Sequence, residues 1–217
     1  MISNDVNEWI DAVATGKVVV SRWVRMAIDR HLSDLERSKS DECPFVFNEE
    51  IATASIVFFP EFLSHSKGSY AGKPFHLSPI QKFIVWSIMG WREKETGYRR
   101  FRRVMYSVGR KNGKTTLAAG IGLLLFAADI PFEADAECYV AATTKDQASI
   151  LHLIAVKMVL ANDSLRKRFK LFKSGPNYSA ILAPDPPHNG SVFRPIGSDS
   201  KSTDGLNVSL VIKDELH

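Results

Sequence analysis

The sequence predicts an α/β fold: an α-helical N-terminal region, then a parallel sheet with flanking helices. Three observations carry this. The first part of the chain repeats apolar residues at helical spacing between capping residues. From Arg102 onward, short β-branched runs alternate with long apolar segments in the order strand, helix, strand, helix, strand, the pattern of a parallel sheet with crossover helices. The boundary between these two regimes falls near Gly72 to Ser78, dividing the chain into a helical region at 1–74 and an α/β core at 75–217.

The elements follow in order. "NDVNEWIDAVATGK" offers Asn4 or Asp5 as a cap and Gly16 as a stop. "SRWVRMAIDRHLSDLERS" places Trp23, Ala27, Ile28, Leu32 and Leu35 on one face. "NEEIATASIVFFPEFLSHS" is a third helix, perturbed at Pro60. "LSPIQKFIVWSIMGW" is a fourth, with Ser78 as N-cap and Pro79 at the first helical position. "RRVMYSVG" then reads as a strand ending in glycine, followed by a helix from Lys114 to about Ala128. "ECYVAATT" is a second strand and "KDQASILHLIAVKMVLAND" a second long helix. Shorter strands are expected at "SAILA" and "SVFRPIG", broken by the "PDPPHNG" turn, and a buried-type strand at "VSLVI". A strand followed by an acidic pair should open into a further loop and helix, so a chain stopping at His217 is expected to be a fragment that lacks part of its sheet.

Composition narrows the classes. With 45% hydrophobic and 24% charged residues over 217 positions, the chain has enough apolar material for a large core and ordinary polar cover. A net charge of +4 permits a polyanionic partner without demanding one. Cys43 and Cys138 match no metal spacing or disulfide framework, which points to a reducing compartment. The acidic N-terminus lacks a signal-peptide pattern, and the longest apolar run, Leu117 to Ala128, is too short to cross a bilayer. The histidines show no ligand spacing, and Trp9, Trp23, Trp86 and Trp91 are expected to pack in the core or between helices.

The chemistry concentrates in "SVGRKNGKTTLAAGIGLLLFAAD". Gly113-Lys114-Thr115 is the end of a phosphate-binding loop, although Val108 stands where the usual pattern has its first glycine. Such a loop needs glycine where the backbone approaches phosphate, a lysine for the β/γ-phosphate charge, and a hydroxyl for magnesium. The other half of the site should sit at the C-terminal end of a buried strand. "VSLVIKDE" supplies adjacent Asp214 and Glu215 there, one carboxylate for hydrated magnesium and one to activate water.

Taken with "VSRWVRMAIDRHLSDLERS", "GSYAGKPFHLSPIQKFIVWSIMGW", "AATTKDQASI" and "STDGLNVSLVIKDELH", these residues make the chain resemble the N-terminal ATPase part of the large terminase subunit of tailed bacteriophages. The resemblance covers nearly the whole chain and implies a P-loop NTPase core whose ATP hydrolysis drives double-stranded DNA into procapsids. It also implies a variant loop, R-x-x-G-K-[ST], filled here by Arg110, Lys111, Asn112, Gly113, Lys114 and Thr115, with Thr116 following. By that resemblance Lys114 contacts the β/γ-phosphates of ATP, Thr115 ligates Mg2+, and Arg110 senses the γ-phosphate. Asp214 is then the Mg2+ carboxylate, Glu215 orients or deprotonates water, and Gln81 reads the adenine edge. Thr143, Thr144 and Gln147 are expected near DNA or nucleotide. The implied partners are double-stranded DNA, the small terminase subunit and the portal protein, with homo-oligomerisation in the intact enzyme, no membrane, and the bacterial host cytoplasm as location. The family's nuclease domain has no counterpart in the sequence, so nuclease activity is not expected.

Lys213 departs from the family pattern, which favours an apolar residue before the acidic pair. It either pairs with Asp214 or points to the opposite face. Two basic stretches stay open: "RRFRR" (Arg99, Arg100, Arg102, Arg103) as a DNA contact or a solvated strand entrance, and "LRKRFKLFK" as a DNA-facing edge or a helix end whose cations complement the dipole. A helicase-like ATPase and a non-catalytic remnant remain as rival functions.

Overall fold

A computed structural model describes residues 2–128, 131, 134–174, 177–186, 188–197 and 208–214. The chain forms two compact units, one from Met1–Phe58 and His76–Met105, the other from Phe59–Phe75 and Tyr106–His217.

The first unit is largely helical. Helix α1 (Ile2–Ala14) ends before Gly16, whose φ of 79° is the left-handed stop expected of that glycine. Arg25 lies against its C-terminal carbonyls, donating from Nη1 to Val13 O at 2.7 Å and from Nη2 to Ala14 O at 3.0 Å, where a cation complements the helix dipole. Arg25 belongs to α2 (Arg22–Arg37), which is capped by the Ser21 side chain accepting from the Val24 N–H. The buried face of α2 is Ile28, His31 and Asp34, whereas Trp23 is 73% exposed and Leu32 lies at the surface. Ile28 lies on the inner face as expected and Ala27 and Leu35 are half-buried, but His31 and Asp34 complete that face in place of the expected Trp23 and Leu32. Hydrophobicity alone selects Trp23 and Leu32; the folded chain instead supplies partners that make a histidine and a carboxylate cheaper to bury.

Those partners come from β1 (Phe45–Phe47), α3 (Glu49–Phe62), α4 (Pro79–Gly90), β2 (Trp91–Glu93) and the segment after it. Strands β1 and β2 pair antiparallel, Phe47 opposite Trp91. The Trp91 indole N–H donates to His31 Nδ1 at 3.0 Å, and the histidine ring meets Phe47 and Phe83 edge-on. Asp34 forms an ion pair with Arg100, Oδ2 to Nη1 at 2.7 Å, and its Oδ1 accepts a hydrogen bond from Arg37 Nη1 at 3.3 Å. Arg100 also lies over the rings of Phe45, Trp91 and Phe101. The densest basic cluster in the sequence thus splits: Arg100 is a structural cation inside this unit, and Arg102 pairs with Glu93 at 3.3 Å on the surface. Helix α4 begins as its sequence predicts, with Ser78 as N-cap and Pro79 in the first turn, and α3 continues through Pro60 to Phe62.

The second unit takes the last turn of α3 and then α5 (Lys114–Ala128), β3 (Glu137–Ala142), α6 (Lys145–Ala161), α7 (Asp163–Arg168), β4 (Lys170–Ser174), β5 (Asn177–Leu182), β6 (Val192–Gly197) and β7 (Val208–Lys213). The sheet order is β4-β5-β6-β3-β7. Strand β3 is parallel to both β6 and β7, but β4–β5 and β5–β6 are antiparallel. The sheet is mixed, not wholly parallel as expected. Only residues 175–176 separate β4 from β5, and only 183–191 separate β5 from β6, too little chain for the roughly dozen-residue crossover that parallel neighbours need.

A second correction concerns "RRVMYSVG". Residues 103–109 form no strand. Val104 is 54% and Met105 91% exposed, and the run passes from one compact unit into the other between Met105 and Tyr106. A β-branched run becomes a strand only where a ladder partner meets it.

Helix α5 lies close on the sheet because of a glycine. A Cβ on Gly122 would come within 2.6 Å of Ile212 Cδ1 and 3.2 Å of Phe193 Cζ. Two residues earlier, Gly120 similarly admits the Phe59 ring. Helix α6 buries His152, whose Nε2 lies 3.2 Å from the Phe193 carbonyl; since that oxygen can only accept, Nε2 carries the proton. No disulfide joins Cys43 and Cys138, and no described helix is long and apolar enough to cross a membrane.

Two outcomes are expected. Asp34→Ala leaves the Arg100 guanidinium buried without its counter-charge and should cost about 3–5 kcal/mol in urea unfolding. Burial lowers the pKa of His31 and of His152 from 6.5 to about 4; at His31 the Asp34 charge opposes this and Arg30 adds to it, and at His152 the Phe193 carbonyl opposes it. The unfolded chain therefore takes up protons that the folded chain excludes. Stability should be complete above about pH 6.5 and fall toward pH 4, by a few kcal/mol per histidine. Thermal unfolding across that range checks this, with His152→Leu removing its share of the slope.

Candidate nucleotide-binding site

The loop before α5 is built from backbone torsions. Lys111 has φ 67° and Gly113 φ 70°, both left-handed, with Asn112 between them at negative φ. Such alternation turns successive N–H groups toward one concavity, the geometry of an anion nest. Gly113 adopts its torsion without strain, whereas Lys111 holds one that a side chain disfavours. Asn112 keeps the loop folded: its Nδ2 donates to the carbonyls of Gly109 at 3.1 Å and Arg110 at 3.3 Å. The Gly113 carbonyl then accepts the Leu117 N–H at 2.9 Å, making Gly113 the residue from which α5 starts. Concave N–H groups therefore open directly onto the positive end of a 15-residue helix.

Side chains complete the arrangement. Arg110, Lys111 and Asn112 are exposed, while Lys114, Thr115 and Thr116, in the first turn of α5, are half-buried. Leu117 and Ala119 anchor that turn in the core at 1% and 0% exposure. The same helix rests on β7 where Gly122 meets Ile212, two residues before Asp214. Strand β7 leaves Lys213 exposed and Asp214 half-buried, and no ion pair forms between them. Of the two alternatives for Lys213, the alternation of the strand selects the opposite face. Glu215 lies outside the described residues.

Gln81 belongs to the first unit, in α4. Its Oε1 accepts the Ser78 N–H at 3.0 Å and closes a capping box with the Ser78 side chain, which gives this glutamine a structural task at the helix start. Thr144 is likewise the N-cap of α6, accepting the Gln147 N–H at 3.3 Å, and Thr143, Thr144 and Gln147 are exposed. Two contributors escaped the sequence: the internal bracing by Asn112 and the space made by Gly122. The glycines of "AAGIGLLL" were the available signal for the second.

The model of the terminase large subunit ATPase domain matches residues 79–217. The chain belongs to this family. The terminase large subunit of Enterobacteria phage HK97 is 29% identical over 160 residues, covering 74% of the chain and 29% of that relative. The crystal structure of the HK97 bacteriophage large terminase matches with a TM-score of 0.59 at 26% identity, covering 78% of the chain and 31% of the other. The chain therefore spans less than a third of the length of either relative. As a terminase ATPase domain it implies ATP binding, and the Lys111–Gly113 nest fits a polyphosphate chemically. The Thr115 hydroxyl and the Asp214 carboxylate are hard oxygen donors of the type Mg2+ takes. Val108 in place of the usual first glycine does not prevent the nest, because the left-handed torsions fall at Lys111 and Gly113.

The torsions give a paired expectation. Gly113→Ala forces a methyl group into a left-handed position and should destabilise by about 1–2 kcal/mol, while Lys111→Gly relieves strain and should stabilise by up to about 1 kcal/mol. Denaturant midpoints measured without nucleotide check both.

Proposed function

We propose that the chain is the ATP-hydrolysing motor part of a phage or prophage DNA-packaging terminase, driving translocation of double-stranded DNA. The observation that carries this is the nest at Lys111–Gly113 opening onto the N-terminus of α5, in a chain of the terminase ATPase family. Lys114 neutralises the β/γ-phosphates and Arg110 the charge that develops on the γ-phosphate. Thr115 and Asp214 hold Mg2+, which when bound screens the phosphate charge. Glu215 takes the proton of the water that attacks the γ-phosphorus as the bond to the bridging oxygen breaks, and Gln81 recognises the adenine edge. Lys111, Asn112, Gly113 and Thr116 enclose the phosphates. Residues 75–217 are the ATPase core and 1–74 its helical appendage. The small terminase subunit, the portal and further copies of the chain are its partners in the host cytoplasm.

Phosphate release stimulated by duplex DNA and dependent on Mg2+ is expected. Lys114→Ala and Glu215→Gln should each lower turnover by about a hundredfold or more, with nucleotide affinity falling in Lys114→Ala and largely kept in Glu215→Gln. Nucleotide binding unchanged in both Lys114→Ala and Asp214→Ala refutes the site. Binding without turnover in the unsubstituted chain leaves only a nucleotide-binding remnant.

A further inference from the structure

The basic stretch "LRKRFKLFK" folds into two elements, the last turn of α7 and the edge strand β4. Helix α7 ends in Arg166, Lys167 and Arg168, all exposed, while Leu165 and Phe169 are buried at 3% each and fix the junction. Strand β4 then exposes Lys170, Phe172 and Lys173. The ladder with β5 shifts register between Phe172 and Lys173, so that Phe172 faces Ala180 and Lys173 faces Tyr178. Ala180 and Tyr178 lie on the same side of β5, two residues apart, so this bulge turns Lys173 onto the side that Phe172 occupies. The Lys173 ammonium lies 5.1 Å from the centre of the Tyr178 ring, which positions it, and Phe172 is 50% exposed beside it.

The charge of this surface is one-sided. Asp163 is the acid in 163–174, and it pairs with Arg166 at 3.4 Å. Among the described residues no carboxylate pairs with Lys167, Arg168, Lys170 or Lys173. A ladder bulge that gathers cations and aromatic rings on one side goes beyond what protecting a sheet edge requires, since scattered lysines suffice for that.

We propose that the α7 end and the β4–β5 hairpin form a surface that grips the phosphate backbone of duplex DNA, with Lys167, Lys170 and Lys173 as phosphate ligands. The inference rests on the DNA-translocating function proposed above and assigns that function a surface. Each lysine neutralises one phosphate and releases its counterions, so affinity through this surface falls steeply with salt.

The test is binding of the chain to a labelled duplex oligonucleotide by fluorescence anisotropy across a salt series, without nucleotide. The triple variant Lys167→Gln, Lys170→Gln, Lys173→Gln should bind at least about tenfold more weakly at low salt, with a log–log salt slope shallower by about two to three. Lys167→Arg, Lys170→Arg, Lys173→Arg should retain affinity and slope, which separates charge from folding. Equal affinity and slope in the Gln variant and the unsubstituted chain overturn the surface while leaving the motor function intact. Failure of the unsubstituted chain to bind duplex DNA at all overturns both. Equal loss in the Arg and Gln variants also overturns it, since charge would then not be what matters.

Discussion

The site depends on how closely α5 can approach the sheet. A methyl group at Gly122 would displace Ile212 Cδ1 and crowd the Phe193 ring, which now lie against the helix there. The absence of a Cβ lets the helix settle onto β6 and β7, and a helix so fixed holds its first turn, Lys114 to Thr116, in one place relative to β7, the strand just before Asp214. Packing of this kind is unforgiving because protein interiors are as dense as crystals. Gly120 extends the same constraint to the Phe59 ring, so α5 is seated from two sides. The phosphate loop is then a short bridge onto a rigid support, which lets torsions at only Lys111 and Gly113 define its concavity.

The loop itself combines one free and one costly torsion. Gly113 enters the left-handed region without penalty; Lys111 does not. A disfavoured torsion persists where the surroundings over-determine it, and here Asn112 does so through its bonds to the Gly109 and Arg110 carbonyls. That bracing also accounts for the tolerance of Val108 in a glycine's usual place, since the curvature is generated later in the loop.

In the first unit the organising interaction is electrostatic. Asp34 pairs with two arginines, and Arg100 is sandwiched by aromatic rings that accommodate a guanidinium well. His31 sits in the same cluster as a neutral acceptor for Trp91. Buried charges persist when paired, and both the Arg100 partner of Asp34 and the Trp91 partner of His31 come from a remote part of the chain. The arrangement makes Arg100, from a basic run that reads either as a DNA contact or as a solvated strand entrance, a fold determinant.

The sequence by itself determined the α/β class with a helical N-terminal region, most helix limits, and the start of α5 at Gly113-Lys114-Thr115. Capping at Ser78 and Ser21, the stop at Gly16 and the Gly113-Lys114-Thr115 motif act through neighbours a few residues away, so they are legible locally. Tertiary structure decided which stripe of α2 faces inward, that 103–109 forms no ladder, that β4 and β5 make the sheet mixed, and that Arg100 is structural while Lys173 is turned outward. Each of these depends on a partner distant in sequence: a facing indole, a neighbouring strand, a carboxylate 66 positions away or a shifted register. Periodicity gives the spacing of a face but carries no information about what will meet it.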